Sequence, residues 1–164
     1  LLYVKGRFKS LLISSDGEKY SPEGIEEAMV QLAPSIDQVM LYNNQSTYTT
    51  AVVVPNKDYL KRALKDKGLS LDTEEGRIEA LKLVEADVAM FKKGGEHETM
   101  FPDRWLPAAI AVLAEPFTEQ NQMINSTMKM VRGKIEKAYA DRIAYMYTPE
   151  GKQLLNPQNI EALA

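Results

Sequence analysis

The sequence predicts an α+β domain: a small, largely antiparallel sheet with helices packed on it and a helical insertion at about residues 59–95. Three observations predict it. Apolar runs of strand length recur at 2–4, 11–13, 36–42, 48–54 and 108–113. The stretches between them carry apolar residues at helical spacing and are bounded by capping residues, glycine or proline. The length of 164 residues suffices for one domain, residues 1–164, that buries roughly 70% of its unfolded surface.

In chain order, the runs at 2–4 and 11–13 flank the polar Lys9-Ser10 and read as two short strands. Ser21-Pro22 starts a helix, Ser21 as the cap and Pro22 in the first turn, where a missing N–H costs nothing. Ile25, Met29 and Leu32 supply its apolar stripe, and Ala33-Pro34 ends it. Strands at 36–42 and 48–54 follow, joined by the turn-forming Asn43-Asn44-Gln45-Ser46 into a hairpin. Pro55-Asn56 opens a helix to about Lys67, closed by Gly68. Asp72 is the expected cap of a longer helix, with Glu75 completing a capping box. Ile78, Leu81, Val84, Val88 and Phe91 form its single apolar face, and Lys92-Lys93-Gly94-Gly95 its basic last turn and stop. A proline-containing loop leads to the buried strand at 108–113, and a closing helix runs from Val131 to about Tyr147 with Val131, Ile135, Tyr139, Ile143 and Met146 on one face. The tail beyond Thr148 is weakly patterned.

Composition narrows the function classes. With no cysteine, disulfides, thiolate metal sites and thiol catalysis are excluded. A net charge of −3 argues against a general nucleic-acid binder. No apolar run is long enough to span a membrane and no signal-peptide pattern opens the chain, so a cytoplasmic location, with peripheral membrane attachment left open, is the default expectation. The chain begins on Leu1 in an apolar run, which predicts a piece of a longer protein.

Two segments far apart carry the chemistry. Near the start, Gly6-Arg7-Phe8-Lys9-Ser10 runs on to Asp16-Gly17-Glu18-Lys19-Tyr20-Ser21-Pro22. Near the end, Glu115-Pro116-Phe117-Thr118-Glu119 precedes Ser126-Thr127-Met128-Lys129-Met130-Val131-Arg132. As a pair and in this order, they resemble the hinge and catalytic-lysine motifs in the C-terminal domain of AMP-forming acyl-CoA synthetases, with the closest look to bacterial long-chain fatty acid CoA ligases. Ser126 stands where that pattern commonly has proline, and Met128 where many members have glycine. One more residue separates Arg7 from Gly17 than in the commonest spacing.

The resemblance implies a role for each motif residue. Lys129 is the adenylation lysine. A carboxylate and the α-phosphate of ATP repel each other, and an ammonium between them offsets that repulsion as charge spreads in the transition state. Arg7 contacts the ribose of the adenylate, a task suited to a fork of donors. Lys9 is the hinge about which the domain rotates between half-reactions. Ser15, Asp16, Gly17 and Glu18 belong to the loop that enters the site when the CoA thiol attacks the acyl-adenylate. There Gly17 permits close approach and a positive φ; by itself, Asp16-Gly17 reads equally well as an ordinary turn.

ATP, CoA and a fatty acid are the implied substrates, and the larger N-terminal adenylation domain is the implied partner and holder of Mg²⁺. This segment has neither a Gly-rich phosphate loop nor an acidic cluster for the metal, so alone it is not expected to be active. Two alternatives remain: an acyl-carrier-protein ligase of the same superfamily, or a non-catalytic interaction module that kept the fold.

The remaining polar landmarks read as structural. Lys129, Arg132, Lys134 and Lys137 concentrate positive charge that suits an anionic substrate, yet Arg132, Lys134 and Lys137 are individually expected to be solvated helix charges. Glu26-Glu27 and Glu74-Glu75 read as helix-surface or first-turn charges. His97 reads as a surface histidine, and Trp105 as a partly buried anchor.

Overall fold

The computed structural model describes residues 11–164; Arg7, Lys9 and the expected strand at 2–4 lie outside the described residues. The architecture is α+β as expected, with helices packed on two three-stranded sheets. The smaller sheet joins β1 (Leu12–Ser14), β2 (Lys19–Tyr20) and β4 (Asn44–Ser46) in the order β2-β1-β4. The larger joins β3 (Ile36–Tyr42), β5 (Thr49–Pro55) and β6 (Pro107–Val112) in the order β3-β5-β6. The hairpin pairing of β3 with β5 is antiparallel, whereas β5–β6 and β1–β4 are parallel.

The central strand β5 is buried along its whole length. Its unbroken apolar run, where a half-exposed strand would alternate, reflects burial on both faces. Ala51 and Val53 join a core with Ile25, Met29, Leu60, Leu64, Leu81 and Val84. Val52 and Val54 point the other way, toward Phe117, Ile135, Ile143 and Met146. The sheet therefore separates two cores. The first is covered by α1 (Glu23–Leu32), α2 (Lys57–Asp66) and α3 (Glu74–Ala89). The second is covered by α4 (Arg132–Ala138) and α5 (Ala140–Tyr145).

Several local expectations are corrected. The turn at Asn43 to Ser46 contains a strand, because Asn44–Ser46 pairs with β1 while Asn43 is buried and its side chain accepts from Ser46 N at 2.8 Å. No hydroxyl of Ser21 caps α1; Pro22 is itself helical, and its carbonyl accepts from Glu26 N at 2.9 Å. Thr73, not Asp72, caps α3, accepting from Gly76 N at 3.1 Å. The capping frame thereby moves by one residue and places Gly76 where a capping box would need Glu or Gln. Glycine is required there because a Cβ would lie 1.7 Å from the Ser70 carbonyl oxygen. Helix α3 also ends at Ala89, before the basic and glycine residues expected to stop it.

The expected closing helix is broken at Tyr139, whose φ of −113° and ψ of 25° leave the helical region. Neither glycine nor proline occupies the break. Ile135, Ile143 and Met146 all enter the second core across the break. The weakly patterned tail forms two more helices, α6 (Pro149–Lys152) and α7 (Pro157–Ala162). Each follows a capping residue and begins with proline, Thr148-Pro149 and Asn156-Pro157, a signal present in the sequence.

Asn159 locks this tail to the sheet. Its Oδ1 accepts from Val112 N and Arg142 Nη2, each at 2.9 Å, and its Nδ2 donates to the carbonyls of Ile110 at 3.0 Å and Leu154 at 2.9 Å. The side chain is fully buried. Asn159→Leu strands several buried groups, each worth about 1–3 kcal/mol, so urea titration should show a loss of roughly 3–4 kcal/mol at unchanged m-value. A loss under about 1 kcal/mol would show that water or rearrangement satisfies them.

Candidate functional site

Lys129 sits on a tight hairpin. Ile124 and Met130 form an antiparallel bridge, and Val131 N donates to the Met123 carbonyl at 2.8 Å. Asn125 ties the tip. Its Oδ1 accepts from Thr127 N at 3.0 Å, Thr127 Oγ1 at 2.7 Å and Lys129 N at 3.0 Å, while its own N–H donates to the Lys129 carbonyl at 2.9 Å. Sequence reasoning passed over Asn125, although asparagine beside threonine is a recognised turn signal. Met128 is held at a φ of 65° with 70% of its surface exposed. A side chain in that left-handed region costs roughly 1–2 kcal/mol.

The Lys129 side chain is exposed and makes no ion pair among the described residues. It borders an open cleft of ≈ 670 Å³ whose other walls include Glu23, Glu27, Val30 and Val39. The cleft differs in charge from the sequence expectation. Arg132 is not solvated: its side chain is 18% exposed and its guanidinium forks onto Glu26, donating through Nη1 to Oε2 at 2.9 Å and through Nη2 to Oε1. Nor is Glu26 a surface charge, being 4% exposed and accepting from Leu41 N at 2.7 Å. Burial pushes the Glu26 carboxyl above its ordinary range, and the Arg132 hydrogen bonds oppose that rise. Lys134 remains exposed but is bonded to Gln122 Oε1. With Arg132 neutralised and Glu23, Glu27 and Asp37 also at the cleft, Lys129 is its one lysine among the described residues.

The segment upstream, Glu115 to Glu119, is pinned to the edge of β3. Gln38 donates through Nε2 to the Phe117 carbonyl at 3.0 Å and accepts from Phe117 N at 2.8 Å, and the Phe117 ring is buried. The start of the Lys129 region is therefore anchored to the same strand that Glu26 covers.

Ser15, Asp16, Gly17 and Glu18 form the turn between β1 and β2. Gly17 is exposed, has a φ of 89°, and nothing lies within 4 Å of where its Cβ would be. The positive φ is set by a closed turn in which Gly17 N donates to the Ser14 carbonyl at 3.0 Å and Ser14 N to the Glu18 carbonyl at 2.9 Å. Asp16 accepts from Ser14 Oγ and from Glu18 N at 3.1 Å; the Ser14 hydrogen bond foremost holds its carboxyl below the usual range. Glu18 receives both arms of Arg104, at 2.6 and 2.7 Å, which lowers its pKa. Trp105 stacks on Tyr20 with ring centroids 5.4 Å apart, as befits the expected anchor. None of these four turn residues lines the cleft beside Lys129. The two motif segments thus occupy separate places, and the described residues do not bring them together. His97 is half-buried, its ring centroid 5.4 Å from that of Phe91.

No protein-family model matches the chain. Over 152 residues it is 26% identical to long chain acyl-CoA synthetase 8 of Arabidopsis thaliana, spanning 89% of this chain and 20% of that protein. Over 148 residues it is 22% identical to the chloroplastic long-chain-fatty-acid–[acyl-carrier-protein] ligase AEE15 of the same plant, spanning 90% of this chain and 18% of the relative. The chain is homologous to the adenylate-forming superfamily. It spans about a fifth of the length of these superfamily relatives. The same fold occurs in the crystal structure of the adenylation domain of a carboxylate reductase from Mycobacterium chelonae, with a TM-score of 0.67 and 24% identity over 85% of this chain and 19% of that one.

Among the described residues, no group of three or more His, Cys, Asp or Glu is placed to hold a metal ion, and no helix is long and apolar enough to cross a membrane. Among the described residues, then, no donor set fits Mg²⁺.

Proposed function

We propose that residues 1–164 are the mobile C-terminal domain of a long-chain fatty acid CoA ligase. Its partner is the larger N-terminal adenylation domain of the same protein, which supplies the ATP, fatty acid and Mg²⁺ sites. Lys129 serves the first half-reaction, in which the carboxylate attacks the α-phosphate of ATP to give acyl-adenylate and pyrophosphate. Arg7 holds the adenylate ribose. The domain then turns about Lys9, and the Ser15–Glu18 turn takes the place of Lys129 while the CoA thiol attacks the acyl carbonyl and releases AMP.

The observation that supports this reading best is the presentation of Lys129. Its ammonium is exposed at a cleft mouth while its backbone is fixed by Asn125. A lysine held in that way, with no competing carboxylate bonded to it among the described residues, is free to meet two anions brought by another domain. The Gly17 turn does not line the cleft beside Lys129, so presenting first one and then the other to a centre in the partner domain calls for a rigid-body rotation, which supports the reading.

A second reading keeps the first half-reaction and delivers the acyl group to the pantetheine of a carrier protein; the similarity to a carrier-protein ligase favours keeping it. The full-length protein, given ATP and a long-chain fatty acid, should release pyrophosphate and acylate CoA faster than a holo acyl carrier protein. Faster acylation of the carrier would establish the second reading. Absence of pyrophosphate release with any carboxylate would leave an interaction module that lost the chemistry.

A further inference from the structure

The buried Glu26–Arg132 pair spans the open edge of the larger sheet. Strand β3 is the outer strand of the order β3-β5-β6, and the Leu41 N–H on it is bound by Glu26 Oε2 rather than by another strand. Glu26 comes from α1, which lies over the first core, while Arg132 begins α4, which lies over the second. The pair therefore ties together, around the sheet edge, two helices that the sheet itself keeps apart.

We infer that Glu26 and Arg132 are positioning residues that set where the Lys129 hairpin stands relative to α1, the opposite wall of the cleft. This inference rests on the adenylation reading of Lys129 and deepens it. The hairpin has two kinds of fixing. Asn125 and the Ile124–Met130 bridge hold its shape from within. Those bonds are all local, and Ile124 and Met130 seat the hairpin on the second core, the face of the sheet that α1 does not cover, so none of them ties it to α1. Arg132 follows Lys129 by three positions and is the anchor between the hairpin and α1. A buried ion pair often adds little net stability compared with apolar residues, and fixing one arrangement among several is its better-attested use. Positional error of about 1 Å can lower a rate roughly a hundredfold, so a clamp loosened with both charges kept is expected to show in the reaction.

Arg132→Lys keeps a positive charge beside Glu26 and loses the two-armed grip; Glu26→Gln keeps an acceptor for Leu41 N–H and loses the charge. In the full-length enzyme, carboxylate-dependent ATP–pyrophosphate exchange by each variant should fall about tenfold to a hundredfold in kcat, with KM for ATP changed less than twofold. Thioester formation from supplied acyl-adenylate and CoA should persist, and the double variant should be no slower than the worse single one. Unchanged exchange in both variants, or an equal fall of both half-reactions in Arg132→Lys, would overturn the positioning role. Lys129→Ala run in parallel separates the two levels. If it keeps adenylation, the reading of Lys129 fails; if it loses adenylation while both clamp variants keep it, only the clamp fails.

Discussion

Lys129→Ala in the full-length enzyme is expected to lower acyl-adenylate formation by about 10²–10³ while largely sparing thioester formation from supplied acyl-adenylate. The magnitude follows from the removal of one well-aimed positive charge from a transition state in which two anions approach. Structure adds a reason to expect a clean result. The side chain is exposed and packs in neither core, so truncation leaves no cavity. The hairpin is held by the Lys129 backbone N–H and carbonyl, which alanine retains. Rapid-quench measurement of acyl-AMP checks the first half-reaction, and CoA-dependent consumption of supplied acyl-AMP checks the second. Equal loss of both would contradict the assignment, because the local structure gives a truncated side chain no means of damaging the fold.

Gly17→Leu is expected to do the reverse: adenylation retained, thioester formation reduced by about 10²-fold or more, as for other misplacements at a reacting centre. Two effects of the substitution separate on inspection of the turn. The intrinsic cost is the positive φ of 89°, worth roughly 1–2 kcal/mol for a side chain. Among the described residues nothing lies within 4 Å of the added Cβ. Arg104 and the Asp16 bonds continue to hold the turn from either side of that glycine. The substitution thus starts into open space beside an exposed turn, where the proposal brings adenylate and pantetheine. Gly17→Ala serves as the control, having nearly the same backbone cost and much less bulk. A loss in Gly17→Ala as large as in Gly17→Leu would assign the effect to backbone conformation and remove the argument for close approach.

The two candidate motifs were legible to different depths. Thr127, Met128, Lys129 and Arg132 stand together in the chain, so their spacing was visible, and Lys129 is exposed. Arg132 was visible as a basic residue but not as half of a buried pair. Its partner Glu26 lies 106 positions away, and on its own helix Glu26 looks like one of several first-turn carboxylates. Arg104 and Glu18, 86 positions apart, were hidden in the same way. Arg7 and Lys9 lie outside the described residues. Where a signal was local, it was present even if passed over: Asn125 in its turn, Thr148-Pro149 and Asn156-Pro157 at helix starts.

By itself, the sequence determined the α+β class, the hairpin of β3 and β5, the helix stops at Ala33 and Gly68, and the two motif segments, because each depends on residues a few positions apart. Tertiary structure alone decided the parallel partner of β5, the break at Tyr139, the lock at Asn159, and the charge of the cleft. The physical reason is burial. Whether a carboxylate such as Glu26 is a solvated surface charge or the desolvated partner of a guanidinium depends on what the fold brings over the edge of β3, and neither its identity nor its sequence neighbours contain that information.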